Sequence, residues 1–295
     1  MDLAYSPVIA TLNRPGPLRL MLQSLAQQTR LPSQVVLVDA SENNETGELS
    51  RTLSLPFPIV YLRSSFRSSA RQRNEGAAKV STPLIAFMDD DIVLEPKTMA
   101  RLLSVFAQPE ARQVGGVAGR IRGSSHPQPK GLLWWYYRLQ AGYADQTFGA
   151  RLFGAAINTF PCFEVQTGLI PTEWLSSTCV VYRTDLFLRE RFPEFDGYSF
   201  MEDVHLSARI AKTHRLYFDS EAAYDHFSQP TDFKRSHGAF AAAAIRNRQI
   251  VARDVMDQHG FGLFWRFFLQ RLFETAALVK QRRKGWLEAV RGIWS

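Results

Sequence analysis

Three consecutive carboxylates, Asp89-Asp90-Asp91, follow directly after an apolar run of five residues that predicts a buried strand, residues 84–88. The end of such a strand brings like charges together at the edge of a hydrophobic core, which is unfavourable unless a cation lies beside them. Carboxylate oxygens suit Mg²⁺ or Mn²⁺, which take further ligands from water and phosphate groups. The cluster therefore predicts a divalent-metal site. The alternative is that one Asp caps the turn and the others are solvated.

A second acidic pair, Glu202-Asp203, stands at the beginning of a predicted helix that runs through Lys212. Carboxylates at this position stabilise a helix by capping it and by interacting with its dipole, which is the simpler interpretation. A carboxylate apart from a metal can also accept a proton from an attacking hydroxyl, as a general base. Together the two acidic groups indicate group transfer from a diphosphate-linked donor, whose leaving group the metal would neutralise.

Phosphate binding also needs cations, and four arginines precede the acidic strand: Arg63, Arg67, Arg71 and Arg73. Guanidinium groups bind phosphate oxygens through paired hydrogen bonds, so these side chains are candidates, although some are expected to be surface residues. Asp39, after the second predicted strand, is a candidate acceptor for the N3–H group of uracil or thymine, or else a turn residue. The sequence lacks GxxxxGK[ST] and GxGxxG, which disfavours an NTPase or a dinucleotide dehydrogenase.

Alternating strands and helices are predicted to position these side chains. Short apolar runs and helical patterns alternate in the N-terminal part of the chain, which is typical of parallel βαβ units. Strands are predicted at residues 7–11, 34–38, 59–62, 84–88, 178–182 and 215–218. In an open parallel sheet the ligand lies beyond the carboxyl ends of the strands, so Thr11-Leu12-Asn13-Arg14, Asp39 and the three aspartates should converge. Residues 114–173 are predicted to form loops and short strands.

The composition excludes several classes of protein. A chain of 295 residues, 45% hydrophobic and 21% charged, suits a globular α/β protein with a sizeable core. No apolar stretch is long enough to span a membrane, and the N-terminus does not resemble a signal peptide. The two cysteines, Cys162 and Cys179, stand apart from any CxxC or Cys/His spacing, so neither a disulfide framework nor a zinc site is predicted. We therefore expect a cytoplasmic protein.

The net charge of +7 arises entirely near the C-terminus. Residues 231–295 hold 12 of the 35 basic and 5 of the 28 acidic residues, which leaves 23 of each sign in residues 1–230. This distribution does not favour nucleic-acid binding. The tail is also aromatic, and a basic run follows at 281–286. An amphipathic helix of this kind lies in the headgroup layer of an anionic bilayer, so peripheral contact with the cytoplasmic face of the membrane is predicted. The alternative is a helix that packs on the catalytic domain or on a dimer partner.

Taken in order, these motifs resemble the inverting glycosyltransferases of family 2, which have the GT-A fold. The resemblance covers about residues 6–230. It rests on five segments: Pro7-Val8-Ile9-Ala10-Thr11-Leu12-Asn13-Arg14, Val36-Leu37-Val38-Asp39-Ala40-Ser41, Ala70-Arg71-Gln72-Arg73-Asn74-Glu75-Gly76, Phe87-Met88-Asp89-Asp90-Asp91 and Phe200-Met201-Glu202-Asp203-Val204-His205-Leu206. They are similar to the family's opening strand and turn, its base-reading Asp, its Arg-Asn-x-Gly segment, its DxD motif and its Glu-Asp motif.

The resemblance implies an α/β domain at residues 1–230, with a Rossmann-like, mainly parallel sheet flanked by helices. Residues 1–110 would form the nucleotide-sugar half, residues 111–230 the acceptor half, and residues 231–295 a C-terminal helical extension. The implied reaction moves a sugar, with inversion, from a nucleoside-diphosphate donor to a hydroxyl of a glycan or lipid-linked acceptor. UDP- and dTDP-sugars are the favoured donors, and Mg²⁺ or Mn²⁺ is the implied cofactor.

The family's functional residues carry over by position. Asp203 would be the general base, Asp91 and Asp89 would bind the metal, and His226 would be a further ligand or else a structural histidine. The implied nucleotide-sugar contacts are Thr11, Asn13, Arg14, Asp39, Arg67, Arg71, Asn74, Asp89, Asp90 and Glu202. Two positions differ from the family pattern. Leu12 replaces an aromatic residue of the first turn, and His205 replaces an Asp that usually follows the Glu-Asp pair.

Two other functions stay open on the sequence. A sugar nucleotidyltransferase also pairs a nucleotide with a carboxylate-held metal, but it needs a Gly-rich phosphate loop after the first strand, which Leu12-Asn13-Arg14-Pro15 matches poorly. A noncatalytic, membrane-associated binding module would act through the tail alone. Its binding would fall steeply with salt, and it would show no metal-dependent affinity for nucleoside diphosphates.

Overall fold

A mixed β-sheet forms the centre of the fold. The computed structural model describes residues 3–108, 111–141, 149–196, 199–228, 236–281 and 285–295. Its strands are β1 (Tyr5–Thr11), β2 (Val35–Asp39), β3 (Ile59–Arg63), β4 (Leu84–Asp89), β5 (Ile92–Leu94), β6 (Val114–Ile121), β7 (Leu152–Phe153), β8 (Ile157–Asn158), β9 (Leu169–Thr172), β10 (Cys179–Arg183) and β11 (Arg215–His226). Within the described ranges, the large sheet has the order β3-β2-β1-β4-β10-β6-β11-β5, with β9 also paired to β11. The predicted boundary after residue 230 and the basic residues 282–284 lie outside the described residues.

The N-terminal half of the sheet is parallel, as the sequence predicts. β1 lies between β2 and β4 and runs parallel to both, while β3 is parallel to β2. Helices α1 (Pro15–Ala26), α2 (Glu45–Thr52) and α3 (Ser69–Ala77) connect these strands, and α4 (Thr98–Ser104) follows β5. The register places Thr11 beside Asp39 and Ala10 beside Asp89. The polar segments that follow the three strands therefore lie at one edge of the sheet.

The other half of the sheet is mostly antiparallel. β10 is antiparallel to β4 and β6, and β9 is antiparallel to β11, whereas β6 and β11 are parallel. β11 is much longer than the predicted strand at 215–218. Its register with β6 shifts between Phe218 and Ala223, after which the strand continues and pairs with β5, so that His226 lies opposite Ile92. His226 was expected beyond the closing strand and is instead the last residue of that strand.

Part of the segment at 114–173 differs from its prediction as loops and short strands. It begins with the eight-residue strand β6 and contains the helix α5 (Gly131–Ala141), which carries the aromatic run 134–137. An unbroken run of aromatic residues shows no alternation of apolar and polar positions, so the hydrophobic pattern did not predict the helix. Tyr136 and Gln140, four residues apart, both point inward. Helices α6 (Thr184–Glu190) and α7 (Glu202–Ala211) then lead to β11.

The C-terminal extension has three helices: α8 (His237–Asp254), α9 (Gly260–Gln281) and α10 (Trp286–Trp294), of which α10 packs on the other two. Val251, Leu263 and Phe267 share a buried cluster with Trp174 and with Met201, the residue before α7. The extension is therefore joined to the domain by a hydrophobic core, which was one of the two predicted uses of the tail. No described helix is both long enough and apolar enough to cross a bilayer.

Candidate active site

The end of β4 brings together three potential metal ligands. Asp89 is the last residue of the strand, and Asp91 is buried two residues later. A ligand atom from each of Asp89, Asp91 and His226 lies within 4.8 Å of the other two, and His226 Nε2 is 3.1 Å from Asp91 Oδ1. Two carboxylates and one imidazole are a donor set that fits Mn²⁺ or Mg²⁺. The continuation of β11 beyond its register shift supplies the third potential ligand, His226.

The middle aspartate, Asp90, binds the turn after β1. It accepts a hydrogen bond of 2.6 Å from Thr11 Oγ1. Arg14 Nη1 lies 3.2 Å from Asp90 Oδ1 and also 3.2 Å from Asp91 Oδ2. Burial raises the pKa of Asp90 to about 6, although Thr11 and Arg14 both act in the opposite direction. Asp90 therefore fixes the turn after β1 against the acidic turn, and it is not a member of the group of potential metal ligands.

Arg73 connects the two acidic groups of the sequence. Its guanidinium lies 2.6 Å from Asp89 Oδ1 through Nη2 and 3.4 Å from Glu202 Oε1 through Nη1. The side chain is almost fully buried, and its guanidinium carbon lies 5.5 Å from the centroid of the Phe192 ring. A buried guanidinium that contacts carboxyl groups on both elements holds β4 and α7 in a fixed relation.

Glu202 and Asp203 occupy the first turn of α7. The backbone of Met201 is left-handed, with φ of 71°, and directs the chain into the helix. Burial and the neighbouring Asp203 raise the pKa of Glu202 to about 8. Burial also raises the pKa of Asp203, against hydrogen bonds that its carboxylate accepts from the backbone N–H groups of Val204 and Ser177. Those donors favour the ionised form and so oppose the effect of burial on the pKa of Asp203.

Asp39 lies fully buried at the end of β2, and its carboxylate already accepts three hydrogen bonds. The donors are the backbone N–H of Ser41 at 2.8 Å, Tyr61 Oη at 2.8 Å and Arg63 Nη1 at 3.2 Å. Arg63 also donates to the backbone carbonyls of Ser41 and Asn43. The carboxylate therefore braces the loop after β2.

The turn after β1 is held against the same loop. Asn13 adopts a left-handed backbone, with φ of 56°. Its N–H donates to Ser41 Oγ at 2.7 Å, and its side-chain oxygen accepts from the N–H of Glu42 at 3.0 Å. From below, the buried amide of Gln72 donates to the carbonyls of Thr11 and Val38. Asn, unlike most residues, tolerates this conformation, and the turn is fixed on both sides.

Arg67, Arg71 and Asn74, which were also predicted to contact the nucleotide sugar, have partners outside the acidic cluster. Arg67 pairs with Glu42 at 2.6 Å, and Arg71 pairs with Glu194 at 3.0 Å, both on the exposed surface. The Asn74 side chain exchanges two hydrogen bonds with the backbone of Phe192. The arginines that contact the acidic residues of the candidate site are Arg14, beside Asp90 and Asp91, and Arg73.

A family model provides the decisive comparison, because it covers more than half of the chain. The model described as glycosyl transferase family 2 matches residues 6–163. The chain belongs to glycosyl transferase family 2. The matched residues include β1 to β4 and the Asp89-Asp90-Asp91 cluster, while Glu202, Asp203 and His226 lie beyond them.

Curated relatives agree with this family assignment. Over 134 residues the chain is 31% identical to a protein of Streptomyces hygroscopicus subsp. limoneus named validoxylamine A glucosyltransferase, and that match covers 43% of this chain and 30% of the relative. A protein of Haemophilus influenzae, named only as an uncharacterized glycosyltransferase, is 30% identical over 105 residues, 35% of this chain and 34% of the relative. The matches thus span about a third of the length of these relatives.

Solved structures show the fold over nearly the whole chain. A crystal structure of residues 1–349 of S. aureus TarS covers 96% of this chain and 74% of its own, with a TM-score of 0.55 and 16% sequence identity. A second crystal structure of S. aureus TarS covers 92% of this chain and 43% of its own, with a TM-score of 0.54 and 18% identity. The family 2 chain accordingly has a GT-A α/β fold followed by C-terminal helices.

Sequence reasoning named Arg73 only as one of four candidate phosphate-binding arginines and did not name Tyr61. The place of Arg73 on α3, which packs on β1 and β2, brings it within reach of both Asp89 and Glu202. Tyr61 ends up beside Asp39 because β3 is in register with β2. The period of two in a strand is a usable signal here, since residues 61 and 63 share one face and both reach Asp39.

Proposed function

We propose that the chain is a divalent-metal-dependent, inverting glycosyltransferase that uses a nucleoside-diphosphate sugar. The observation that carries this proposal is the convergence of Asp89, Asp91 and His226 within 4.8 Å at the carboxyl ends of the strands. The Glu202-Asp203 turn is connected to them by Arg73. Family membership supplies the reaction class, and this arrangement supplies the proposed division of roles.

In the proposed reaction, Asp203 accepts the proton of the acceptor hydroxyl as its oxygen attacks the anomeric carbon. The new C–O bond forms on the face opposite the leaving group, and the electron pair of the breaking bond goes to the β-phosphate oxygen of the nucleoside diphosphate. Asp89, Asp91 and His226 would hold Mn²⁺ or Mg²⁺, which supplies charge neutralisation to the diphosphate when bound. Glu202 keeps its proton and leaves Asp203 as the charged base.

The finer features of the substrates are also proposals. A uracil or thymine base is favoured because Asp39 stands at the end of β2 beside the turn after β1, so we propose a UDP- or dTDP-sugar as donor. The two validoxylamine A glucosyltransferases among the relatives favour a hexose. We propose a glycan or lipid-linked acceptor, and the exposed aromatic surface of the C-terminal helices supports contact with the cytoplasmic face of a membrane.

The test measures donor binding and transfer separately. UDP, dTDP and GDP are titrated calorimetrically with Mn²⁺ and again with EDTA, and transfer is assayed with the donor whose nucleotide binds. Asp91→Ala is expected to weaken metal-dependent binding at least about tenfold, because a ligand of the ion is lost. Asp203→Asn is expected to retain donor binding and to lower transfer about 10²- to 10⁴-fold, because only the proton acceptor is removed.

Asp257→Asn is the matched control. Asp257 is 95% exposed and contacts His259 on the surface, so both measurements should stay at the wild-type value. Equal loss of nucleotide binding in Asp91→Ala and Asp203→Asn would contradict the assigned roles. Binding that is the same in Mn²⁺ and in EDTA would contradict the metal.

A further inference from the structure

The solvent-exposed side of α9 is apolar rather than polar. A surface helix usually turns polar residues to water. Between Gly260 and Val279, each residue that is exposed to solvent is glycine, alanine or a large apolar residue. The large ones are Phe261, Phe264, Trp265, Leu272 and Val279, and Phe261 is 77% exposed. We refer to these five residues as the outer face of α9.

The outer face is a single stripe rather than scattered side chains. Phe264 and Trp265 follow Phe261 by three and four residues, and Leu272 and Val279 follow Trp265 by seven and fourteen. These spacings match the helical repeat, so the five side chains project in one direction. Leu263, Phe267 and Gln270, on the opposite side, are buried against the domain. The helix thus has two apolar sides, and only one of them is used by the fold.

Neighbouring aromatic rings extend the outer face. Phe264 stacks on Phe268 at 6.3 Å, Trp265 stacks on the same ring at 5.7 Å, and Phe268 meets Trp294 of α10 at 6.1 Å. On the other side of α9, Tyr136 of α5 stacks on Phe273 at 4.0 Å. α5 adds an apolar ridge of its own, since Leu132, Trp135 and Leu139 are all exposed. Contiguous exposed apolar side chains on three adjacent helices are typical of an interaction surface.

Positive charge surrounds this apolar area. Arg291 is exposed on α10 between Leu287 and Trp294, on the side of the helix that they share. Arg271 lies 6.0 Å from the Trp294 ring, and Arg138 lies 5.6 Å from the ring of Trp134 on α5. The sequence adds Lys280 and the run Gln281-Arg282-Arg283-Lys284 directly after α9. An apolar aromatic stripe edged by guanidinium and ammonium groups complements a surface of anionic headgroups over acyl chains.

We propose that the outer face of α9, together with Trp294 and Arg291 of α10, is a binding surface for an anionic lipid bilayer. The helix lies in the plane of the interface, with its aromatic residues at the depth of the acyl boundary and its basic residues among the phosphates. This proposal concerns the C-terminal helices and is independent of the proposed transfer reaction. Its failure would leave the metal and base assignments untouched.

The test is sedimentation of the full chain with vesicles of phosphatidylcholine alone and of phosphatidylcholine mixed with phosphatidylglycerol. We expect binding to the mixed vesicles, weaker binding to the neutral ones, and loss of binding as salt is raised, because the electrostatic part is screened. The double variant Phe264→Ser/Trp265→Ser should bind at least about tenfold more weakly, because two interfacial anchors are removed. Arg291→Glu should reduce binding to the mixed vesicles alone.

Val165→Ser is the control, since Val165 is 69% exposed on a loop away from the C-terminal helices and should bind like the wild type. Circular dichroism melting of each variant establishes that it is folded. Equal binding by Val165→Ser and the double variant would overturn the proposal. It would also be overturned if the wild type ignored both vesicles and formed a stoichiometric dimer that the double variant dissociates, because the face would then cover a second copy of the chain.

Discussion

Glu202 and Asp203 are adjacent in the chain but have different surroundings. Glu202 faces Arg73 inside the protein, whereas Asp203 is half-buried and accepts two backbone hydrogen bonds. Desolvation raises the pKa of both carboxyl groups, and the N–H groups of Val204 and Ser177 act against it at Asp203. Two adjacent carboxyl groups in such different surroundings can share one proton, and Glu202 holds that proton at neutral pH.

This difference predicts a pH dependence of stability. The pKa of Glu202 rises from 4.5 to about 8 on folding, so the folded protein keeps a proton that the unfolded chain releases in this interval. The free energy of unfolding should therefore fall as the pH rises from about 4.5 to about 8. Glu202→Gln, which resembles the protonated acid, should reduce that slope by about 1 kcal/mol per pH unit.

Urea unfolding at a series of pH values measures this slope. Glu48→Gln, at an exposed position on α2, is the control and should reproduce the wild-type curve. A Glu202→Gln curve parallel to that of the wild type would show that Glu202 is ionised throughout.

At the level of single residues, the sequence predicts the clusters better than the contacts. Asp89, Asp91 and His226 were expected to act together, and the structure brings their ligand atoms together. The partners of Arg67 and Arg71 were not predictable, because a guanidinium on a flexible side chain pairs with whichever carboxylate the tertiary structure places nearby. The role of each residue in transfer stays a prediction.

The elements that carry the site are positioned by close packing at α3. A Cβ atom added at Gly76 would lie 2.5 Å from Val8 Cγ1 and 2.8 Å from Val38 Cγ2, on β1 and β2. Gly76 therefore lets α3 approach the sheet closely enough for Arg73, one turn earlier, to reach Asp89.

We expect Gly76→Ala to destabilise the protein by about 1–3 kcal/mol, because α3 or the two valines must move. The same movement should displace Arg73 and lower transfer. Gly16→Ala is a matched substitution, since Gly16 also lies in a helix and has no atom within 4 Å of the added Cβ. It should leave stability unchanged or raise it by about 0.5 kcal/mol. Urea unfolding of both variants measures this difference. Equal unfolding midpoints for Gly76→Ala and Gly16→Ala would contradict the close approach of α3 to the sheet.

The helices and strands whose apolar residues recur at a regular spacing were predicted to within a few residues. Those without such a spacing were not predicted. β1 to β4, β10 and α7 were predicted from apolar patterns in the sequence. The continuation of β11 to His226 depends on an irregularity in its pairing with β6, which leaves no mark in the hydrophobic pattern. The short strand β5 exists because it pairs with that continuation.

At the scale of the whole molecule, the C-terminal helices and the helix of the proposed base share one core. Phe267 of α9 is buried in the same cluster as Met201 and Val204, on either side of the Glu202-Asp203 pair. The extension therefore supports the geometry of the acidic turn, and the domain at residues 1–230 is not structurally independent of it.

Two phenylalanines of α9 provide a direct comparison. Phe267→Ala should lower stability by about 3 kcal/mol, because it opens a cavity in the shared cluster, and it should also reduce transfer. Phe264→Ala, at a position 64% exposed and three residues away, should change stability by less than about 0.5 kcal/mol and leave transfer in a membrane-free assay intact. Thermal melting and initial rates below the transition test both. Similar melting temperatures for the two variants would contradict the shared core.

The outer face of α9 also determines how the purified protein behaves as a colloid. Away from lipid, its aromatic stripe attracts the same stripe on other molecules, while the net charge of +7 keeps the molecules apart at long range. Added salt shortens the range of that repulsion, to about 8 Å at 0.15 M, and leaves the apolar attraction in place. The chain should therefore stay dispersed best in dilute buffers or with a mild detergent, and should precipitate as ionic strength rises.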